Sequence, residues 1–175
     1  MADNKTVSVF GSGRIGPDRP EFAVAMQLGR ALAEAGFAIA NGGYTGTMLA
    51  AAEGAAQAGG AVIGVTCSAF ANSVANEFVT REVVTQSLEE RLGTLVRLGD
   101  AYVVLPGGTG TLLELAMVWE LKNKRFLDRA KPIILMGEFW KPVVELVSLY
   151  QPKCAACVAF ARRPQEVVEL IENAL

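Results

Sequence analysis

Two glycine-rich turns and two charged side chains are the parts of this sequence best suited to chemistry. Asn41-Gly-Gly-Tyr-Thr-Gly-Thr47 and Pro106-Gly-Gly-Thr-Gly-Thr111 each separate an apolar run from a helical pattern. Glycine lets a backbone come close to a ligand, and the amides at a helix start favour an anion, so a phosphate is the natural occupant. Two such turns at the carboxyl ends of parallel strands suit a nucleotide-sized phosphate ester. Neither ends in Gly-Lys-Ser/Thr, so neither is a Walker loop and ATP hydrolysis is not indicated. An earlier turn, Gly11-Ser-Gly-Arg-Ile-Gly16, formally matches G-x-G-x-x-G. Pro17, Asp18 and Pro20 follow where the dinucleotide fingerprint needs a running helix, and Ala40-Asn41 ends the next run without a ribose-binding acid. That turn, with Ser12, is expected to line a ligand site without being an NAD site.

Glu114 lies three residues after Thr111, which is capping-box spacing. It also shares a helical stripe with Val118 and Leu121, placing a carboxylate on an apolar face beside the third turn. A charge there needs a partner or a task. Arg91 is placed in the same way: Leu88, Leu92, Leu95 and Leu98 form an apolar stripe, and Arg91 falls between Leu95 and Leu98 on the helical wheel. One possibility is that its aliphatic stem covers the core while its head reaches water. The other is that Arg91 and Glu114, on consecutive helices flanking one strand, meet at the rim of the third turn. A cation and a carboxylate beside an anion cradle can bind and polarise a phosphorylated sugar.

Strands and helices must hold these groups. Continuously apolar runs mark strands at Val7 to Phe10, Phe37 to Ala40, Ala61 to Val65, Ala101 to Leu105, Pro132 to Met136 and Cys157 to Ala161. Between them, helical patterns run from Pro20 to Ala35, Thr47 to Ala58, Leu88 to Leu98, Thr111 to Lys124, Trp140 to Tyr150 and Pro164 to Asn173. The alternation predicts an α/β fold, three-layer and doubly wound around a mainly parallel sheet. Thr66 to Gln86 is the least regular stretch and reads as a loop or lid. The helix from Thr111 is apolar nearly all round, which implies burial on two sides, by the sheet and by a second subunit.

Composition narrows the function classes. The 175 residues are 51% hydrophobic and 19% charged, a mix suited to one domain spanning residues 1–175. With no histidine at all, His-based triads and His-ligated metals are excluded. A net charge of −2 lacks the cationic excess that nucleic-acid binding wants. The start shows neither a cationic region nor an apolar signal core, and no stretch reads as a membrane span, so a cytoplasmic location is expected. Cys154-Ala-Ala-Cys157 precedes the last strand rather than opening a helix after an early one, and reads as incidental rather than redox-active.

Pro106-Gly-Gly-Thr-Gly-Thr-Leu-Leu-Glu114 resembles the PGGxGTxxE signature of the LOG family, the cytokinin riboside 5′-monophosphate phosphoribohydrolases. Arg91 stands fifteen residues before that proline, where family members carry arginine. The likeness runs from the first strand through Asn41 to Thr47, Gly59-Gly60 and Ile63-Gly-Val to about Lys124. It implies a Rossmann-like fold, a homodimer, and hydrolysis of the N-glycosidic bond of a nucleoside 5′-monophosphate to free base and ribose 5-phosphate, with no cofactor and no metal. By position, Gly107, Gly108, Thr109, Gly110 and Thr111 hold the 5′-phosphate, Arg91 and Glu114 act at the ribose, and Ser12, Gly42 and Gly43 complete the site. The sequence departs from the family in three places: Leu92 stands where lysine is usual, Tyr44 where a third consecutive glycine is common, and Gly-Ser-Gly-Arg where Gly-Ser-Ser is usual. Related proteins resembling molybdenum-cofactor carriers bind a ligand without hydrolysis and supply the alternative class. A single-stranded DNA binder of related fold ranks behind both.

Overall fold

A computed structural model describes residues 5–71 and 73–175. Its elements are β1 (Thr6–Phe10), α1 (Pro20–Glu34), β2 (Ala38–Asn41), α2 (Thr47–Gln57), β3 (Val62–Cys67), β4 (Arg81–Thr85), α3 (Leu88–Leu98), β5 (Ala101–Val104), α4 (Thr109–Asn123), β6 (Ile133–Met136), α5 (Lys141–Ser148), β7 (Ala159–Ala161) and α6 (Pro164–Glu172). A 3₁₀ segment, Pro152–Cys157, links α5 to β7. The seven strands form one all-parallel sheet in the order β4-β3-β2-β1-β5-β6-β7. Strand order reverses between β1 and β5, so the turns that follow β1 and β5 open side by side at the switch point.

Alternation of side chains along the strands divides the core in two. Val7, Val9, Ile39, Val103 and Ile134 pack with α1, α2 and α6, whereas Phe10, Ala40, Val65, Tyr102, Val104 and Leu135 pack with α3, α4 and α5. Inner strands are buried along their whole length, which is why their sequences run continuously apolar.

Two expectations need correction. The stretch from Thr66 to Gln86 is not wholly a loop: it contains β4, which pairs with β3 over Ile63↔Arg81 to Cys67↔Thr85. As an edge strand it keeps Arg81, Glu82 and Val84 exposed, so it never shows an apolar run. Leu88 of the supposed α3 stripe is 43% exposed, the inward face being carried by Arg91, Leu92, Thr94, Leu95 and Val96. The helix α4 buries Leu115, Val118 and Trp119 against the sheet and leaves Leu112 and Leu113 38% and 43% exposed on its outer side. Among the described residues no helix is long and apolar enough to cross a membrane.

Candidate active site

The third turn is built to start a helix without closing it. The carbonyl of Leu105 accepts a hydrogen bond from Trp140 Nε1 (3.0 Å), and its amide donates to Phe10 O (2.9 Å), so the strand end is clamped before Pro106. Gly108 is the N-cap of α4 and has no side chain to cap the first-turn amides. Gly108, Thr109 and Gly110 are exposed there, while Thr111 is buried and packs on Gly107. None of these glycines has a positive φ, and a Cβ at Gly108 or Gly110 would meet nothing within 4 Å. The fold therefore needs glycine at neither position. What the missing side chains provide is open space over a helix N-terminus, where amides and the helix dipole attract an anion.

The second turn is organised differently. Gly43 (φ 76°) and Gly46 (φ 68°) adopt conformations that L side chains avoid, so here glycine is a backbone requirement. Its polar groups are largely spent within the protein: Gly43 N donates to Asn41 Oδ1 (2.8 Å), Asn41 Nδ2 to Met48 O (2.9 Å), and Thr47 N to Ser12 O (2.9 Å). Ser12 Oγ accepts from Arg14 N (3.2 Å). Ser12 and Gly13 of the first turn are tied to the second through their carbonyls, which accept from Thr47 and Thr45. Gly42 leaves the room that the Arg91 guanidinium fills, since a Cβ there would collide with Nη2.

Arg91 is delivered by a well-anchored helix. Ser87 caps α3 by accepting from Glu90 N (3.1 Å), and Glu90 returns an oxygen to Gln86 N (2.8 Å). Ser8 Oγ and Tyr102 Oη donate to Leu95 O and Val96 O (both 2.7 Å), pinning the helix to β1 and β5. Arg91 is only 8% exposed; its Nε donates to Val65 O (2.8 Å) and its Nη1 stands 3.7 Å from Glu114 Oε1. The rings of Tyr44 and Phe70 lie 5.5 and 5.9 Å from the guanidinium carbon. Neither aromatic stands out as a site residue in the sequence, where Tyr44 is only a departure from glycine. Leu92, at the position of the usual lysine, is buried.

Glu114 does not serve as a cap. Because α4 begins at Thr109, it is the sixth helical residue, 9% exposed and facing Arg91. Burial raises its pKa from 4.5 to about 7, outweighing the lowering effect of Arg91. A carboxyl group that ionises near neutrality can exchange a proton with water or substrate.

A model of the SLOG cluster4 family matches residues 4–168. The chain belongs to the SLOG cluster4 family. A cytokinin riboside 5′-monophosphate phosphoribohydrolase of Rhodococcoides fascians is 29% identical to this SLOG cluster4 chain over 148 residues, 82% of the chain and 74% of that protein. A molybdenum cofactor binding protein from Rippkaea orientalis superposes with TM-score 0.78 at 28% identity, covering 99% of this chain and 98% of that one. The molybdenum cofactor carrier protein of Chlamydomonas reinhardtii shares the fold, with TM-score 0.78 at 23% identity over 98% of each chain. The SLOG cluster4 fold is thus the same Rossmann-like α/β architecture as these neighbours.

Proposed function

We propose that this protein hydrolyses the N-glycosidic bond of a nucleoside 5′-monophosphate, of the AMP or cytokinin riboside monophosphate type, releasing free base and ribose 5-phosphate. The observation that carries the proposal is the buried Arg91–Glu114 pair beside the open turn Gly107–Thr111. Amides at the start of α4 hold the 5′-phosphate, and Arg91 binds the ribose side. Glu114 then faces the anomeric carbon. As the C1′–N bond breaks, its electron pair leaves with the base and positive charge develops on the sugar, which the ionised Glu114 carboxylate stabilises. Water forms the new C1′–O bond and gives a proton to Glu114, and the departing base nitrogen takes up a proton from solvent; Glu114 then returns its proton to solvent, so one water is consumed and the carboxylate is regenerated. The curated relative of Rhodococcoides fascians supports this reaction class.

The test is a panel of nucleoside 5′-monophosphates incubated with the protein and read by chromatography. AMP or isopentenyladenosine monophosphate is expected to yield free base, and the Glu114→Gln variant none, with phosphate-dependent binding largely retained. Unchanged turnover in that variant would defeat the role given to Glu114.

A second reading, non-catalytic binding of molybdenum cofactor, is favoured by the near-complete overlap with the Rippkaea orientalis protein. It expects co-purifying molybdenum or pterin fluorescence and no base release from any nucleotide. In either case a homodimer would cover the exposed outer face of α4 at Leu112 and Leu113. Light scattering after size exclusion checks this, a monomer at micromolar concentration being the contrary result.

A further inference from the structure

We infer that Phe70, held against Tyr44, is the stacking surface for the nucleobase, and that it selects purine mononucleotides by ring area with little distinction between adenine and guanine. The inference rests on the nucleotide reading above and extends it to the base. It starts from the order of groups along the carboxyl edge of the sheet. The phosphate turn follows β5, and the Phe70 segment follows β3, three strands away in the order β3-β2-β1-β5. At about 4.8 Å per strand that is roughly 14 Å, the scale of an extended mononucleotide. Between these ends stand Glu114 and Arg91, the latter bonded to Val65 O on β3. Anion cradle, charged pair and aromatic surface therefore succeed one another as phosphate, ribose and base do in the ligand.

The aromatic end is preorganised. Tyr44 Oη accepts from Cys67 N (2.7 Å) and is 2.9 Å from Ser73 Oγ, which fixes the ring. Asn76 Nδ2 donates to the carbonyls of Gly43 (3.0 Å) and Tyr44 (2.9 Å), latching the segment after β3 onto the second turn. Phe70 lies 6.1 Å from Tyr44, ring to ring, and stays 38% exposed, although an aromatic ring gains by burial. Tyr44, Thr45, Phe70, Ala71 and Val74 line a cavity of about 250 Å³. Ser73, Asn76 and Thr45 beside the rings are already paired within the protein, and the Arg91 guanidinium, 5.5 and 5.9 Å from the two ring centres, is turned to Val65 O and Glu114. A base lodged here is read by its π-face rather than by hydrogen bonds at its edge, and stacking of that kind tolerates different bases.

The test measures dissociation constants by calorimetry for AMP, GMP, UMP and ribose 5-phosphate, on the native chain at short times and on Phe70→Ala and Phe70→Leu. AMP and GMP are expected within about threefold of each other and several-fold tighter than UMP. Phe70→Ala should weaken AMP and GMP by roughly tenfold or more, Phe70→Leu by less, and neither should change ribose 5-phosphate by more than about twofold. Unchanged AMP affinity in Phe70→Ala, or an equal loss for ribose 5-phosphate, would overturn the inference even if the chain hydrolyses AMP. Phe70-dependent AMP binding without base release would uphold it and refute hydrolysis. A native chain that bound no mononucleotide would overturn both.

Discussion

Arg91 Nη1 and Glu114 Oε1 stand 3.7 Å apart, a separation at which the guanidinium lowers the carboxyl pKa without satisfying it as a close hydrogen bond would. Burial prevails, and Glu114 is left titrating at about 7. The pair is better suited to meeting a ligand than to holding two helices together, because a closed bidentate bridge would leave neither group free to act.

The first consequence concerns pH. If the ionised carboxylate stabilises the sugar cation, kcat for base release should rise with pH along a limb centred at or above about 7, bound phosphate adding negative charge nearby. A carboxyl-carbon NMR titration of Glu114 in the free protein should give a midpoint near 7. A midpoint near the ordinary value of 4.5 would remove this basis for proton exchange.

Arg91 should tune that midpoint. Since its charge favours the carboxylate, Arg91→Met is expected to move the Glu114 titration upward and depress base release at neutral pH by roughly tenfold or more. The same NMR titration detects the shift independently of activity.

Stability carries the opposite sign from activity. A carboxyl group with a raised native pKa contributes stability that is fully present below its unfolded pKa of about 4.5 and lost as pH climbs through about 7. The shift corresponds to roughly 3 kcal/mol. Glu114→Gln, which has no charge to bury, should therefore gain in melting temperature relative to the native chain between about pH 5 and pH 8. A constant difference across that range would contradict the burial argument.

The open glycines separate folding from binding. Gly110 sits in the first turn of α4, where a Cβ would have nothing within 4 Å, so Gly110→Ala should stabilise the helix by about 0.5–1 kcal/mol. The methyl group would occupy the anion space, and affinity for AMP and ribose 5-phosphate, measured by calorimetry, should fall roughly tenfold or more. Gly42→Ala acts elsewhere: it should displace Arg91 and reduce turnover far more than it affects phosphate binding.

Much of this architecture is legible in the sequence because the inner strands are covered on both faces and write themselves as apolar runs. β4 is not, since an edge strand with Arg81 and Glu82 outward has no such run. Its β-branched stretch Val83-Val84-Thr85 is the available signal. Arg91 and Glu114 can be singled out because a charge on an apolar stripe breaks helical periodicity. Their meeting is legible only as one of two alternatives, since it depends on α3 and α4 packing on the same face of the sheet. The partnership of Tyr44 and Phe70, 26 residues apart, depends on the β2-β3 pairing that brings their loops together. The second and third turns read alike in the sequence, yet Gly43 and Gly46 of the second are the ones with positive φ.

Co-crystallisation of Glu114→Gln with AMP tests the central claim most directly. The expected map shows the 5′-phosphate on the amides of Gly108 to Thr111 and C1′ against the carboxamide that replaces the Glu114 carboxylate. A phosphate bound away from that turn, or a sugar turned away from position 114, would contradict it.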